Sequence, residues 1–430
     1  MLGLEAYLVG GAVRDELLGV PHKDQDFVVT GVGYDELRAA LAPHGRVEDL
    51  EVAGRRVGLR LHPRDAALRG LAPAGIEFAP PRTERSTGPG RHDFEIVASP
   101  EVTLEQDLAR RDFTINAIAK RLATGEIVDP YDGRGDLERR VLRTVSPQSF
   151  REDPLRLVRG LRFVSQLGVE PDEATLAQMR ENAAAVALVS AERIGGGLAA
   201  DGMGELSKLL LGEEPRRALR LMRDTGVLLE LIPEYAPAVE AGLDEHVFAV
   251  VQAAADAHAP LAVRLAALLH DLAKPKSPDE EHAAVGARVA ARVLARLRYP
   301  TRLQRHATRL VAAHDFRPEP TPVEARRFLA RHGDELARDL VDHKLADLRA
   351  KPDAHDRLDA AERFKLLLEQ ERGSPHRIGD LAVDGRDLLE SGIAQGPLIG
   401  KTLDALLARV VEEPELNARD RLLELAKEVR

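Results

Sequence analysis

Asp24 and Asp26 stand one residue apart in KDQDFVVTG, at the edge of an apolar run. Residues i and i+2 of a strand project from one face, so the two carboxylates would lie close together. Two like charges so placed resist joint ionisation unless a cation lies between them. Mg2+ takes hard oxygen ligands, often one or two carboxylates with substrate phosphates. Upstream, Gly10 and Gly11 would let backbone N–H groups approach a triphosphate, and Arg14, near a helix start, would neutralise it. The set suggests phosphoryl transfer, with metal ions activating a hydroxyl and holding the leaving pyrophosphate. A polar loop with two solvated aspartates is the plainer reading of the same residues.

A second group lies in EDPLRLVRGLRF, where Asp153 and Arg156 are three apart on a predicted helix and would share a face. An ionised Asp only accepts hydrogen bonds and Arg only donates them. Cytosine and adenine each present an amino donor beside a ring-nitrogen acceptor, whereas guanine and uracil present the opposite order. The pair could therefore select C and A without a nucleic-acid template. A surface salt bridge is the plainer alternative. Arg159 and Arg162 continue the series, but each step of three drifts by roughly 60° around a helix. They cannot all face one base, and are assigned to the triphosphate or to helix support. Arg111 could contact phosphate or base, with Asp112 orienting it and Asn116 beyond. Glu77 or Glu84 could supply a third carboxylate, and residues 82–91 a loop near the nucleotide.

A third group centres on LLHDLAKP, which joins His270 to Asp271, with His246, His282, His314 and Asp347 elsewhere in the chain. Imidazoles and carboxylates suit Mn2+, Fe2+, Co2+ or Ni2+, and such a metal would activate water for phosphoester hydrolysis. His282 and His314 would complete a two-metal version, and Lys274 could contact phosphate. For any one of these histidines a core position is the commoner explanation, and Asp342 competes with Asp347.

These residues need elements to hold them. Strands are predicted over 6–9, 26–30 and 75–79, and helices over 34–41 and 104–119. From about residue 147 long Ala/Leu/Arg/Glu segments carry helical spacing. The expectation is an α+β head, a mixed sheet with helices, over 1–145. An all-α remainder follows, as neck (146–235), body (236–350) and tail (351–430). The 430 residues contain no Cys, which excludes disulfides, thiolate zinc sites and a Cys nucleophile, and suits a reducing cytoplasm. With 3% aromatics and no Trp, base-stacking platforms are not expected to dominate. No run approaches a membrane span, and MLGLEAYLVGG lacks the basic region of a secretory leader. The formal charge of −10 argues against simple coating of nucleic acid, but not against a local basic groove.

YLVGGAVRDELLG and KDQDFVVTG resemble the opening of the class II tRNA nucleotidyltransferases and the related bacterial poly(A) polymerases. RRDFTINAIA, DPYDGRGDLERRVLRTV, EDPLRLVRGLRF and SAERI resemble the later motifs in family order, and DLLESGIAQGPLIGKTLDALL resembles the C-terminal region, so the likeness covers nearly the whole chain. The resemblance implies Mg2+-dependent addition of C, C and A to the tRNA 3′ end from CTP and ATP, with no DNA or membrane partner. It implies Asp24 and Asp26 as catalytic metal carriers and Asp153 with Arg156 as the pair that meets the base. Gly10, Gly11, Arg14, Arg111, Arg159 and Arg162 would complete the nucleotide site. The His246 to Asp347 series resembles the HD phosphohydrolases and implies an accessory hydrolase. A partial (CC- or A-adding) enzyme or a poly(A) polymerase would share these motifs. An HD phosphohydrolase with a regulatory nucleotide- or RNA-binding head is the alternative of another class. One departure stands out. SAERI runs into Gly195–Gly197 where relatives continue with a charged helix, and three glycines predict a break.

Overall fold

Alternating apolar residues build the N-terminal sheet. β1 (Glu5–Val9) pairs antiparallel with β2 (Asp26–Thr30). β3 (Gly45–Val52), β4 (Arg55–Pro63) and β5 (Ile76–Ala79) follow as antiparallel neighbours, and β5 joins β2 in parallel. That parallel joint sets Asp26 beside Glu77 and Phe27 beside Phe78, whose rings stack at 5.2 Å. β6 (Arg82–Ser86) and β7 (Phe94–Ala98) form a separate hairpin. β8 (Ala119–Arg121) and β9 (Ile127–Val128) complete the far edge, giving the order β3-β4-β5-β2-β1-β8-β9. The computed structural model describes residues 4–21, 25–52, 54–86, 94–196, 203–276 and 282–428.

Successive residues of β2 feed opposite faces. Val28 packs with Tyr7, Val9, Leu104 and Leu108, and Val29 packs with Leu37, Leu41 and Leu59. Each face is thus covered by a helix, Leu104–Ala109 on one side and Tyr34–Leu41 on the other. Asp26, two residues before Val28, lies on the Leu104–Ala109 face.

The expected helix over 104–119 is corrected. It stops at Ala109, continues as a short turn at Thr114–Asn116, and becomes β8. Phe113 is extended and bridges Thr144, while Thr114 N donates to the Arg143 carbonyl. The Asp112 carboxylate accepts from Phe113 N, a bond within the turn that competes with a helical ladder. The long helix that spacing suggests is therefore spent on a tight turn that collects Arg111, Asp112 and Asn116. Among the described residues beyond 147 the regular elements are helical except for Glu170–Pro171, which pairs with Val141–Leu142.

The chain divides into two compact units, Met1–Tyr235 with Arg296–Tyr299, and Ala236–Ala295 with Pro300–Arg430. In the first, the Leu155–Leu167 helix buries Leu157, Val158, Leu161 and Val164. Among its described residues the second has only helical elements. One of its cores joins Leu329, Val341, Leu345, Phe364 and Leu368, and another joins Leu388, Leu406, Val410 and Leu422. Among the described residues no helix is long and apolar enough to cross a membrane.

Gly133 shows how tightly the turn is held. A Cβ there would lie 2.2 Å from the Thr114 carbonyl oxygen and 2.9 Å from Ile118 Cγ1. Backbone cannot swing aside as a side chain can. Gly133→Ala is expected to destabilise the head by about 1–3 kcal/mol. Thermal melting followed by far-UV circular dichroism checks this, and an unchanged transition would contradict the close approach.

Candidate functional site

Three segments meet around a cavity of about 580 Å3 in the first unit: the β1 turn, the 110–116 turn and the Leu155–Leu167 helix. Gly10 has φ 73°, and a Cβ there would sit 2.5 Å from Arg111 Nη1, so glycine answers both backbone and space. Arg14 donates from Nη1 to Asn116 Oδ1 at 2.7 Å and from Nε to Asp15 at 2.8 Å, and lies 5.1 Å from the centre of the Phe163 ring. Arg111 reaches Asp107 at 3.3 Å, a buried carboxylate that Arg110 also meets at 2.8 Å.

Asp112 is the node of the site. Its Oδ1 accepts from Phe113 N at 2.8 Å and Asn116 Nδ2 at 2.9 Å, and its Oδ2 forms an ion pair with Arg159 Nε at 2.9 Å. Burial by itself would raise this carboxyl's pKa. Arg159, Asn116 and Arg156 outweigh burial and hold it below the usual aspartate value. Arg162 pairs with Glu205 at 2.8 Å.

Asp153 and Arg156 both line the cavity. The expectation that they share a helix face is corrected. Asp153 is extended (φ −140°, ψ 101°) at the end of the Ser149–Glu152 helix, because Pro154 disfavours helical backbone before it. Arg156 lies in the next helix. Their side chains hold other partners: Asp153 takes Arg193 at 2.9 and 3.3 Å, while Arg156 donates to the Arg110 carbonyl at 2.6 Å and to Ser149 and Glu152. The simple i,i+3 salt bridge does not form.

Asp26 is exposed and borders the same cavity. Asp24 lies outside the described residues, as does the side chain of Glu84. Glu77 adjoins Asp26 in register but pairs with Arg60 at 2.5 Å. Of the segment 82–91, residues 82–86 form β6 instead of a loop, and 87–91 lie outside the described residues. Among the described residues, eight basic side chains against five carboxylates line the cavity, a balance suited to a polyanion.

The second unit gathers its imidazoles from four helices. His246 lies on Asp244–Asp256, and His270 and Asp271 follow Leu261–Leu269. His282 starts its own helix, His314 caps Thr301–Ala313, and Asp347 lies on Asp334–Arg349. Donor atoms of His246, His270 and Asp271 converge, as do those of Asp271, His282 and His314, so Asp271 belongs to both triads. Asp347 Oδ1 is 3.1 Å from His246 Nε2. The Nδ1 atoms of His270 and His314 face backbone carbonyls at 2.9 and 2.7 Å, leaving Nε2 toward the cluster. Burial lowers the His270 pKa, and burial with His270 nearby brings His314 to about 4, so both rings are neutral, the form that binds metal. Asp271 is held at about 2 by His270 and Lys274 against the effect of burial. His270 Nε2 and Asp271 Oδ1 are buried without hydrogen-bond partners, which suits a donor set for a cation. The adjoining cavity, about 610 Å3, presents Lys274, Arg317, Lys344, Lys351 and Arg357.

Three family models match stretches of the chain. The Poly A polymerase head domain matches residues 6–143, the probable RNA and SrmB- binding site of polymerase A matches 168–239, and the HD domain matches 243–350. The chain is 32% identical over 449 residues to a Multifunctional CCA protein of Xanthomonas campestris pv. campestris (strain B100), covering 96% of this chain and 100% of the relative. The chain belongs to the tRNA nucleotidyltransferase and poly(A) polymerase family. Another Multifunctional CCA protein, from Neisseria gonorrhoeae (strain NCCP11945), is 40% identical over 292 residues, and that match spans 64% of each protein. The Bacillus stearothermophilus CCA-adding enzyme in complex with CTP is similar in structure, with a TM-score of 0.73 and 27% identity over 99% of this chain and 93% of that one.

In the first unit, Arg193 and Glu205 were not singled out from sequence as individual residues, and each holds a residue that was. In the HD domain the missed residue is His343. It is fully buried, lies 5.2 Å from His270 and 5.8 Å from His314 between ring centres, and has neither ring nitrogen hydrogen-bonded. Its signal was the i,i+4 spacing to Asp347 on one helix. Asp342 instead pairs with Lys365 at 2.7 Å.

Asp112 makes the head's stability depend on pH. Its folded pKa is depressed, so its contribution is complete above the unfolded value of about 3.9. The contribution is lost as pH falls through the lower folded value. The stability gap between wild type and Asp112→Asn should be widest near pH 6 and shrink toward pH 3. Melting curves of both proteins across that range measure it, and a constant gap would contradict the assignment.

Proposed function

We propose that this chain adds C, C and A to the tRNA 3′ end, using CTP and ATP. The observation that carries this reading is the basic cavity of the first unit. It brings Gly10, Gly11, Arg14, Arg111, Asp153 and Arg156 together with Asp26 at its border. Asp26, with Asp24, would hold Mg2+, which when bound supplies charge stabilisation at the α-phosphate and activation of the terminal 3′-hydroxyl. Arg14, Arg111 and the glycine turn receive the triphosphate. Arg159 and Arg162 add positive charge while braced by Asp112 and Glu205. Asp153 accepts from the amino group of C or A, and Arg156 donates to the ring nitrogen, which rejects G and U. Substrate tRNA would be bound by shape and backbone contacts, with marked salt sensitivity. We assign 1–145 to the catalytic head, 146–235 to a neck for base selection, 236–350 to the HD domain and 351–430 to a tRNA-binding tail.

Purified protein with Mg2+ and tRNA lacking its CCA end tests this. Three residues added only when CTP and ATP are both present is the expected result. CC alone, A added only to tRNA ending in CC, or a long A tail would assign a partial adder or a poly(A) polymerase. Asp26→Ala should lower addition by about 100-fold or more, comparable to loss of a transition-state contact. Because Asp26 is exposed, melting should not change. Full activity in this variant would remove Asp26 from the metal site.

A second reading concerns the HD domain, and the two triads that share Asp271 favour it. His246, His270, Asp271, His282, His314 and Asp347 would hold Ni2+, Mn2+, Co2+ or Fe2+, which when bound supplies an activated water for phosphoester hydrolysis. Lys274 and Lys351, each already paired with a cluster carboxylate, border the adjoining cavity where a phosphate would be received. His270→Ala should abolish Ni2+- or Mn2+-stimulated hydrolysis of p-nitrophenyl phosphate and leave CCA addition unchanged. Hydrolysis that survives the substitution would place any phosphatase activity elsewhere.

A further inference from the structure

We infer that Arg193 is a specificity-positioning residue, fixing the Asp153 carboxylate so that a single acceptor position faces the incoming base. The inference rests on the base-reading role proposed above for Asp153. Asp153 Oδ1 accepts from Leu155 N at 3.1 Å and from Arg193 Nη1 at 3.3 Å, and Oδ2 accepts from Arg193 Nη2 at 2.9 Å. A carboxylate offers about two acceptor positions on each oxygen. Both on Oδ1 are used, and one on Oδ2 is used. The position that remains, on Oδ2, suits one N–H of an exocyclic amino group. A base presenting a carbonyl there would face an oxygen that cannot donate to it. The guanidinium fork also sets the plane of the carboxylate, which a point charge would leave free to turn.

Arg193 is itself built into place. It lies in the short Ala191–Ile194 helix, and the next residue, Gly195, accepts at its carbonyl from Gly204 N at 3.0 Å and Ser207 Oγ at 2.5 Å. A Cβ on Gly195 would lie 2.2 Å from the Leu297 carbonyl oxygen, and one on Gly204 would lie 2.3 Å from that of Ile194. The first glycine after SAERI therefore serves close backbone packing that locks the arginine's base. Arg193 does not line the cavity and acts through Asp153.

The test compares wild type, Arg193→Ala, Arg193→Lys and Asp153→Ala. The readouts are equilibrium binding of CTP and of UTP with Mg2+, single-nucleotide addition to tRNA lacking CCA, and thermal melting. The CTP-over-UTP ratio should fall at least tenfold in Arg193→Ala, about as far as in Asp153→Ala, with KM for CTP rising more than kcat falls. Arg193→Lys keeps the charge without the fork and should recover only part of the ratio. If Arg193→Ala fails to fold, the lysine variant carries the test. A wild-type ratio in the folded Arg193 variants, while Asp153→Ala loses it, overturns the inference and leaves base reading standing. Equal losses for CTP and UTP reduce Arg193 to general support and also overturn it. An unchanged ratio in Asp153→Ala overturns the base-reading role and the inference with it.

Discussion

Among the described residues eight basic side chains crowd one cavity in a protein of net charge −10, and their mutual repulsion is the constraint to which the first unit answers. Several arginines are held by carboxylates close in sequence, and others by a carboxylate or carbonyl from a distant segment. Asp107 takes Arg110 and Arg111, Asp112 takes Arg159, Glu205 takes Arg162, and the Arg110 carbonyl takes Arg156. Removing one such carboxylate would leave a desolvated cation without its partner, the costly half of a broken buried pair. The turn over 110–116 is central because it supplies Asp112, Asn116 and the Arg110 carbonyl together. The fold gathers positive potential for a polyanion and keeps it tolerable while the cavity holds none.

The HD domain meets the reverse problem. Burial there acts on imidazoles: desolvation lowers the pKa of His270, His314 and His343, and the His270 ring lowers those of His314 and His343 further. Neutral rings aimed at two ionised aspartates are poor solvation for one another. The unpaired atoms of His270 and Asp271 mark that shortfall. A cation would supply what the protein's own groups do not. Such a centre takes its stability from the surrounding helices, here three that keep their alanine and leucine faces inward.

Much of this was legible in the sequence because local rules suffice where local forces decide. Period-two apolar residues gave β1, β2 and β5, and the glycine turn announced itself at Gly10. Spacing failed where distant backbone contacts or a proline decide. The 104–119 segment has helical periodicity, yet bonds from residues 143 and 144 divert it after Ala109. Asp153 and Arg156 read as a helical pair, yet Pro154 places the first outside the helix and Arg193, forty residues on, claims it. His343 gave only a lone i,i+4 signal, which burial in a shared cluster turns into something more.

The cavity's ion pairs are not all of one kind, and the difference bears on how one site could take two nucleotides in turn. Arg159 is more than a third exposed, and its pair with Asp112 is open enough for a triphosphate to compete for the guanidinium. Arg156 and Asp153 are more deeply set and are tied by several bonds each to backbone or to a guanidinium fork. Within the proposed phosphate grip Arg159 is therefore the compliant member, while Arg14, Arg111 and Arg162 are as deeply set as the proposed base readers. A reader that selects by donor and acceptor order needs stiffness, since a carboxylate free to turn would accept from more than one base geometry. A grip on phosphates needs only charge, which tolerates small displacements when a purine replaces a pyrimidine.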